Sequence, residues 1–465
     1  MNLKGKKVTV VGMARSGIAC AAFLKAKGAL VTVTDSKPED ELLKQKTALL
    51  EIGGIEIEFS GHSEKALFGA ELLVVSPGVN TKAPVFSLAE KKGVEIIGEL
   101  ELAALFMCAP VVAVTGTKGK TTTTTLIGEI LKRAGKKTVV GGNIGKPLTN
   151  FLLSGELLDE KAFCVAEVSS FQLETINTFR PAIAAILNIG SDHMDRYQNL
   201  QQYIEAKGNI FKNQSAAEIL ILNENDKYTP LYETLAKSKI YYFDSISSLT
   251  GGKEGAYLEG EIIVLCIKGE TTRLMNYKEL SIKGMHNAEN AMVAALAAKL
   301  AGAAASDIVP VLREFKGVEH RQEFAGEING VKFINNSQGT NMLAVEKSIQ
   351  SYDAPIILIA GGRNKNSDFK LLETSVAKKV KRIVAIGEAR AEIKKALNNS
   401  APVEEAGTMD EAVKKAYEFA ASGDIVLMSP GCTSFDMFKD YEERGRVFKT
   451  AVLHLKEAEK ETQKV

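Results

Sequence analysis

The densest chemistry in this 465-residue chain lies at positions 111–122, Val-Val-Ala-Val-Thr-Gly-Thr-Lys-Gly-Lys-Thr-Thr. An apolar β-branched run leads into glycines and lysines, and a run of threonines follows. This order suits phosphate binding. Gly116 and Gly119 let backbone N–H groups converge on phosphate oxygens, and a helix starting among the threonines adds partial positive charge. Lys120 can neutralise the β and γ phosphates of a nucleotide, and the Thr121 hydroxyl can ligate Mg²⁺. Gly116, Thr117, Lys118, Gly119, Lys120, Thr121 and Thr122 are therefore candidate nucleotide-binding residues. The loop departs from the strict G-x-x-x-x-G-K-[ST] spacing, because Val114 stands where the first glycine would be. The alternative is a solvated lysine turn, which would not need a buried strand before it and a helix after it.

Other polar residues gain meaning from where the elements end. Glu167 closes an apolar strand at 163–168. Alone it reads as a solvated carboxylate, but beside a phosphate loop it could share Mg²⁺ with a threonine, since that ion keeps several waters and needs few protein oxygens. Residues 7–11, 18–27 and 30–34 read as a β-α-β unit, with a turn at 12–17 and Asp35 at the end of the second strand. Ala14 occupies the middle position of a G-x-G-x-x-G fingerprint, which makes it a poor one, yet Asp35 sits where a dinucleotide enzyme holds its ribose. An NAD oxidoreductase is thus a live local reading. A strand at 72–75 ends at Ser76-Pro77-Gly78. Asn287 and Asn290, three apart, could cap the alanine-rich helix at 288–301. On charge pattern alone Lys207 is a surface lysine, and Arg321 is either an interdomain ion-pair partner or a phosphate ligand.

The elements that must position these groups alternate strand and helix throughout, so the fold class is α/β. Length alone suggests about three domains. Glycines near 98 and 317 mark the junctions, giving 1–98, 99–317 and 318–465. Further strands are expected at 182–189, 218–222, 331–334, 355–360, 382–386 and 424–428, with a hairpin-like stretch at 251–269. Lysine plus arginine (58) nearly balance aspartate plus glutamate (57), so no broad basic field exists for nucleic acid or an anionic membrane. Cys20, Cys108, Cys164, Cys266 and Cys432 are scattered singly, which points to reduced thiols and a cytoplasmic protein. Arg15 interrupts the only run resembling a signal peptide. The apolar stretch at 104–114 is short and carries Pro110, so no membrane span is expected.

The phosphate loop Thr-Gly-Thr-x-Gly-Lys-Thr at 115–121 resembles that of the Mur ligases and the related folylpolyglutamate synthases. Gly141-Gly142-Asn143-Ile144-Gly145, Ala166-Glu167-Val168-Ser169-Ser170-Phe171-Gln172-Leu173-Glu174 and Asn188-Ile189-Gly190-Ser191-Asp192-His193-Met194-Asp195 are similar to further Mur ligase segments. So are Tyr203-Ile204-Glu205-Ala206-Lys207, Gly284-Met285-His286-Asn287-Ala288-Glu289-Asn290 and Glu319-His320-Arg321. The resemblance covers nearly the whole chain. It implies an N-terminal Rossmann-like UDP-binding domain, a central P-loop ATPase-like domain and a C-terminal Rossmann-like amino-acid-binding domain. It further implies ATP-dependent ligation of D-glutamate to UDP-N-acetylmuramoyl-L-alanine through an acyl phosphate, in peptidoglycan precursor synthesis.

By resemblance, two Mg²⁺ ions are held by Thr121, Glu167, His193 and Lys207, the last as a carbamylated lysine, which needs a fraction of neutral amine. Lys120, Glu167, His193 and Lys207 would be catalytic, and Asn290, Arg321 and Asn336 would reach ATP. The UDP precursor would meet the Arg15 and Ser16 backbone, Asp35, Ser36, Lys37, Ser76, Asn143 and His193. Thr340, Lys365, Ser434 and Tyr441 would form the glutamate pocket. The chain departs from the family at Asn336 and Gln338, where aspartate and lysine are usual, so one negative and one positive charge are lost together. Tyr441 replaces a phenylalanine. A monomer is expected, with a last domain that swings inward to assemble the site. Alternatives are a Mur ligase adding another amino acid or L-glutamate, a folylpolyglutamate synthase, or a non-catalytic nucleotide-binding regulator.

Overall fold

The computed structural model describes residues 1–190, 196–249, 251–364 and 367–462. Three sheets follow one another along the chain. The first has five parallel strands, β1 (Lys7–Val11), β2 (Leu30–Thr34), β3 (Glu56–Glu58), β4 (Leu72–Val75) and β5 (Glu95–Gly98), in the order β3-β2-β1-β4-β5. All four residues of β4 and the last four of β1 are buried, as expected where helices cover both faces of a parallel sheet. The strand order reverses between β1 and β4, which opens a crevice at their carboxyl ends. Gly12 and Ser76 face each other there. Gly12 has φ +98°, and a Cβ on it would lie 2.9 Å from the Ser76 side chain.

The second sheet has nine strands, β6 (Val111–Thr115), β7 (Thr138–Gly142), β8 (Phe163–Glu167), β9 (Ile183–Ile186), β10 (Ile219–Asn223), β11 (Lys239–Asp244), β12 (Gly255–Glu259), β13 (Ile262–Ile267) and β14 (Glu270–Asn276). Their order is β14-β13-β12-β11-β10-β9-β6-β8-β7. β6 is buried throughout and lies between β8 and β9, parallel to both. The β12–β13 and β13–β14 pairs are antiparallel; the first of them occupies the expected hairpin. Helix Met285–Leu300 packs on helix Lys120–Arg133, with Ala288 and residues 290–298 buried. Its alanines leave room for close approach of the two backbones.

The third sheet comprises β15 (Glu323–Ile328), β16 (Val331–Asn335), β17 (Ile356–Gly361), β18 (Val380–Ile386), β19 (Val403–Glu405) and β20 (Ile425–Gly431), in the order β15-β16-β20-β17-β18-β19. β15 is antiparallel to β16, and the remaining pairs are parallel.

The chain divides into two compact units, Met1–Phe315 and Lys316–Val465. The first two sheets share a unit because their helices share a core: Cys20 and Phe23 from helix Arg15–Ala26, Leu100 and Ala103 from helix Glu99–Ala104, and Leu148 and Leu152 belong to one apolar cluster. Two buried glutamates fasten this seam. Glu99 Oε1 accepts from the Thr149 N–H and hydroxyl at 2.8 and 3.0 Å. The Glu101 carboxylate accepts from the backbone N–H groups of Asn177, Thr178 and Phe179 and from the Thr178 hydroxyl, at 2.5–2.9 Å. Among the described residues, no helix is long and apolar enough to cross a membrane.

Candidate active site

β6 delivers the phosphate loop to the carboxyl edge of the second sheet. Gly116 (φ +151°) turns the chain so closely past Leu187 that a Cβ would lie 3.0 Å from the Leu187 Cβ. Gly119 (φ +85°) starts helix Lys120–Arg133, and a Cβ there would lie 2.3 Å from Asn290 Oδ1. The Lys120 ammonium arches over the loop and donates to the Gly116 and Thr117 carbonyls at 2.9 and 3.0 Å. The buried Thr121 hydroxyl donates to Glu167 Oε2 at 2.7 Å, and Asn143 Nδ2 donates to Glu167 Oε1 at 2.7 Å. Thr122 is half-buried on the same helix.

The loop is shaped from beyond β9. The Asn188 amide pairs with the Lys118 backbone, accepting from its N–H at 2.9 Å and donating to its carbonyl at 3.1 Å. The Thr117 hydroxyl contacts the Tyr203 hydroxyl at 3.2 Å and accepts from the Gly190 N–H at 2.9 Å. Lys207, expected at a surface from charge alone, is 1% exposed. Its ammonium donates to the Gly116 carbonyl at 2.8 Å and lies 4.6 Å from the centre of the Tyr203 ring. Asn290 is buried and ties the loop helix to its neighbour, accepting from Thr123 Oγ1 at 3.2 Å and donating to Asn287 Oδ1 at 3.1 Å.

Mg²⁺ fits what is present. A hydroxyl and a carboxylate oxygen converge at Thr121 and Glu167, and two protein oxygens suffice for an ion that otherwise takes phosphate oxygens and water. Among the described residues no group of three or more His, Cys, Asp or Glu side chains could hold a metal. His193 lies outside the described residues, as does Lys365.

At the N-terminal crevice, helix Arg15–Ala26 starts without a side-chain cap and without an acidic residue in its first turn. The Arg15 and half-buried Ser16 backbones lie at this start, where N–H groups lack helical acceptors. The Arg15 side chain reaches away, to the Gly145 carbonyl at 2.6 Å. Asp35 is spent on the loop itself: its oxygens accept from the Met13 and Lys37 N–H groups at 2.8 and 3.1 Å. That arrangement weakens the dinucleotide reading, which needs this carboxylate for a ribose. Ser36 and Lys37 are exposed, with Lys37 3.3 Å from Glu41. Ser76 Oγ donates to the Gly12 carbonyl at 3.2 Å.

In the second unit, the carboxyl ends of β16, β17 and β20 gather at the strand-order reversal. Asn336, expected to reach ATP, is 5% exposed. Its side chain turns inward, donating to Ser348 Oγ at 2.7 Å and Ser429 Oγ at 3.0 Å and accepting from the Gln322 N–H at 3.3 Å. Both amide donors are engaged inside the protein. Arg321 is exposed between His320 (φ +64°) and Gln322 (φ +46°). This unusual turn is held by Asn335 Nδ2, which donates to His320 Nδ1 at 3.0 Å, and by the His320 N–H bonded to Glu323 at 2.9 Å. Burial holds the His320 ring below its ordinary pKa against the pull of Glu323, in keeping with a neutral ring that accepts at Nδ1. Ser434 is buried, while Thr340 and Tyr441 are half-buried. The Tyr441 carbonyl accepts from Ser337 Oγ at 2.7 Å.

Sequence reasoning passed over three residues that build these sites. Arg444 is 1% exposed and donates to Ser337 Oγ, the Ser337 carbonyl and the Cys432 carbonyl at 2.9–3.1 Å. It pins the segment bearing Ser434 and Tyr441, and burial pushes its pKa down to about 10. Asn188 and Tyr203 shape the phosphate loop. All three lie inside segments noted for their motifs, but no local pattern distinguishes a loop-shaping side chain from its neighbours.

Fold and site together define a nucleotide-binding α/β protein in which a phosphate loop and a Thr–Glu oxygen pair share a unit with a second, N-terminal ligand crevice. The chain belongs to the Mur ligase family: the "Mur ligase MurD-like, N-terminal domain" matches residues 6–98, the "Mur ligase middle domain" 114–298 and the "Mur ligase, glutamate ligase domain" 320–432. It is 44% identical to the UDP-N-acetylmuramoylalanine–D-glutamate ligase of Thermoanaerobacter pseudethanolicus over 98% of this chain and 100% of that protein. It is likewise 44% identical to the enzyme of that name from Acidobacterium capsulatum, over 97% of each chain. Among solved structures, UDP-N-acetylmuramate-alanine ligase MurC from Thermotoga maritima superposes with TM-score 0.55 at 20% identity, covering 97% of this chain and 100% of that one. MurF from Acinetobacter baumannii gives 0.53 at 17% identity, covering 97% and 93%. These two share the three-domain α/β fold.

Proposed function

We propose that this chain is an ATP-dependent ligase that joins D-glutamate to UDP-N-acetylmuramoyl-L-alanine in the cytoplasmic synthesis of peptidoglycan precursor. The observation that carries the reading is the Thr121–Glu167 contact at the head of the phosphate loop, in a chain similar from end to end to D-glutamate ligases.

The precursor's alanine carboxylate attacks the γ-phosphorus of ATP, the bond to the β-γ bridging oxygen breaks, and ADP leaves. The glutamate amine then attacks the acyl phosphate carbon, phosphate departs, and the amine loses a proton as the amide forms. Lys120 and the loop N–H groups hold the phosphates and stabilise charge that builds on the transferring group. Mg²⁺, held by Thr121 and Glu167, adds positive charge at the phosphate oxygens when bound. The crevice at the carboxyl ends of β1 and β4, floored by the touching Gly12 and Ser76, holds the UDP portion, with the start of helix Arg15–Ala26 toward its diphosphate. Thr340, Ser434 and Tyr441 contact the incoming glutamate, and Arg321 reaches phosphate. Lys207, buried beside Gly116, would add carbon dioxide at its neutral amine and lose a proton, and the resulting carbamate would, with His193, supply oxygen and nitrogen ligands for a second Mg²⁺.

The test is phosphate release from ATP with Mg²⁺, UDP-N-acetylmuramoyl-L-alanine and a panel of L- and D-amino acids. Release that requires both the precursor and D-glutamate is expected. Release without precursor, preference for another amino acid, or no affinity for ATP overturns the assignment.

A further inference from the structure

Arg196 has no part in the scheme above, yet it lies 19% exposed between the N-terminal crevice and the central sheet. Its guanidinium donates to the Pro77 carbonyl at 3.2 Å and the Val79 carbonyl at 3.1 Å, in the turn that follows β4 and Ser76. On the other side it meets Glu174 Oε2 at 3.0 Å and lies 4.3 Å from the centre of the Phe171 ring. Glu174 is 13% exposed, so the pair is shielded enough to hold one geometry.

Both partner groups lead back to Glu167. Phe171 lies in, and Glu174 ends, the short helical turn Ser170–Leu173, which begins three residues after Glu167 and is capped by the reciprocal bonds of Ser169 and Gln172. Across the crevice, Arg15 reaches the Gly145 carbonyl at 2.6 Å, two residues beyond Asn143, whose amide bonds the other Glu167 oxygen. Two arginines thus fasten opposite walls of the crevice to the surroundings of one carboxylate.

We infer that Arg196 is a positioning residue that sets the distance between the bound precursor's carboxylate and the phosphate loop; this rests on the function proposed above. A planar fork with several donors is needed to serve two carbonyls and a carboxylate while stacking on a ring. A lysine ammonium in its place cannot do all four. The bland alternative, an ion pair that merely adds stability, would not separate turnover from binding.

The experiment compares Arg196→Lys, Arg196→Ala and Glu174→Gln with the parent protein in phosphate release, UDP binding, ATP KM and amide hydrogen exchange. Arg196→Lys is expected to lower kcat about tenfold or more, the scale for misplacing a reacting group by a fraction of an ångström. UDP affinity and ATP KM should stay within about twofold, because neither ligand spans the clamp. Glu174→Gln should show the same pattern more weakly and covers the case of an arginine variant that does not fold. Exchange at the Val79 N–H, which bonds the Ser76 carbonyl, should quicken, while helix Lys120–Arg133 keeps its protection. Unchanged kcat in both arginine variants, or UDP and ATP binding falling together with Tm, overturns the inference. A parent protein inactive with the precursor refutes the proposed function instead. The clamp is then judged by exchange alone, and an unchanged Val79 rate rejects it.

Discussion

Replacing Gly119 with alanine probes the phosphate loop through geometry alone, since it adds one methyl and no charge. With φ +85°, the position lies in the left-handed region, where an L side chain costs about 1–2 kcal/mol. The new Cβ would also lie 2.3 Å from Asn290 Oδ1 and 3.1 Å from Leu187 Cδ1. Asn290 must therefore shift by about 1 Å and release its bond from Thr123, worth about 0.5–1.5 kcal/mol. Together the two effects oppose the phosphate-gripping conformation by about 1.5–3.5 kcal/mol, or roughly a 10- to 300-fold fall in kcat/KM for ATP. The assay is steady-state phosphate release at varied ATP with the other substrates saturating. Gly135→Ala provides the control. Gly135 also has positive φ, at +73°, but a Cβ there would meet nothing within 4 Å. Its cost should appear in Tm and leave ATP kinetics unchanged. A Gly119→Ala protein within about threefold of the parent would refute the argument that this backbone and Asn290 together fix the loop.

Two further outcomes follow from buried charges. Burial raises the Glu99 pKa above its ordinary 4.5, against the pull of its Thr149 bonds. The stability it contributes is fully present below the unfolded pKa and is lost as pH rises through the higher folded one, by about 1.4 kcal/mol per pH unit between the two. The Tm of Glu99→Gln should therefore gain on that of the parent as pH rises above 4.5, and parallel Tm curves would contradict this. Lys207→Arg should abolish turnover and, unlike the parent, show no stimulation by bicarbonate, because a guanidinium forms no stable carbamate. An active arginine variant removes carbamylation from the scheme.

Several elements were legible because strand, turn and helix signals agreed locally. The run from Val111 through Arg133 forms as its residue order demands, and β1, β2 and β4 fall where β-branched runs end at glycine, aspartate or proline turns. Short polar strands were not legible. Glu56–Glu58 is three residues long with no buried residue, and Val403–Glu405 has one; such edges take their form from the neighbouring strand. Helix Arg15–Ala26 begins three residues before its expected start because Gly17, a weak helix former, is the residue that fits there. A Cβ on it would lie 1.9 Å from the Gly12 carbonyl oxygen. The apolar run at 182–189 gives a strand only over Ile183–Ile186. Beyond it the chain bends to the phosphate loop, where the Thr117 N–H bonds the Asn188 carbonyl at 2.9 Å.

By itself the sequence determined the α/β alternation, the position of the phosphate loop and the residue types able to grip phosphate and magnesium, because these depend on contacts within a few residues. Tertiary structure decided which carboxylate meets Thr121, that Lys207 is buried rather than solvated, and that Asn336 turns inward to two serines. It also decided that Arg196 spans the crevice wall. Each of these joins groups far apart in the chain, and whether such a group is solvated, paired or buried depends on what other strands and helices bring against it.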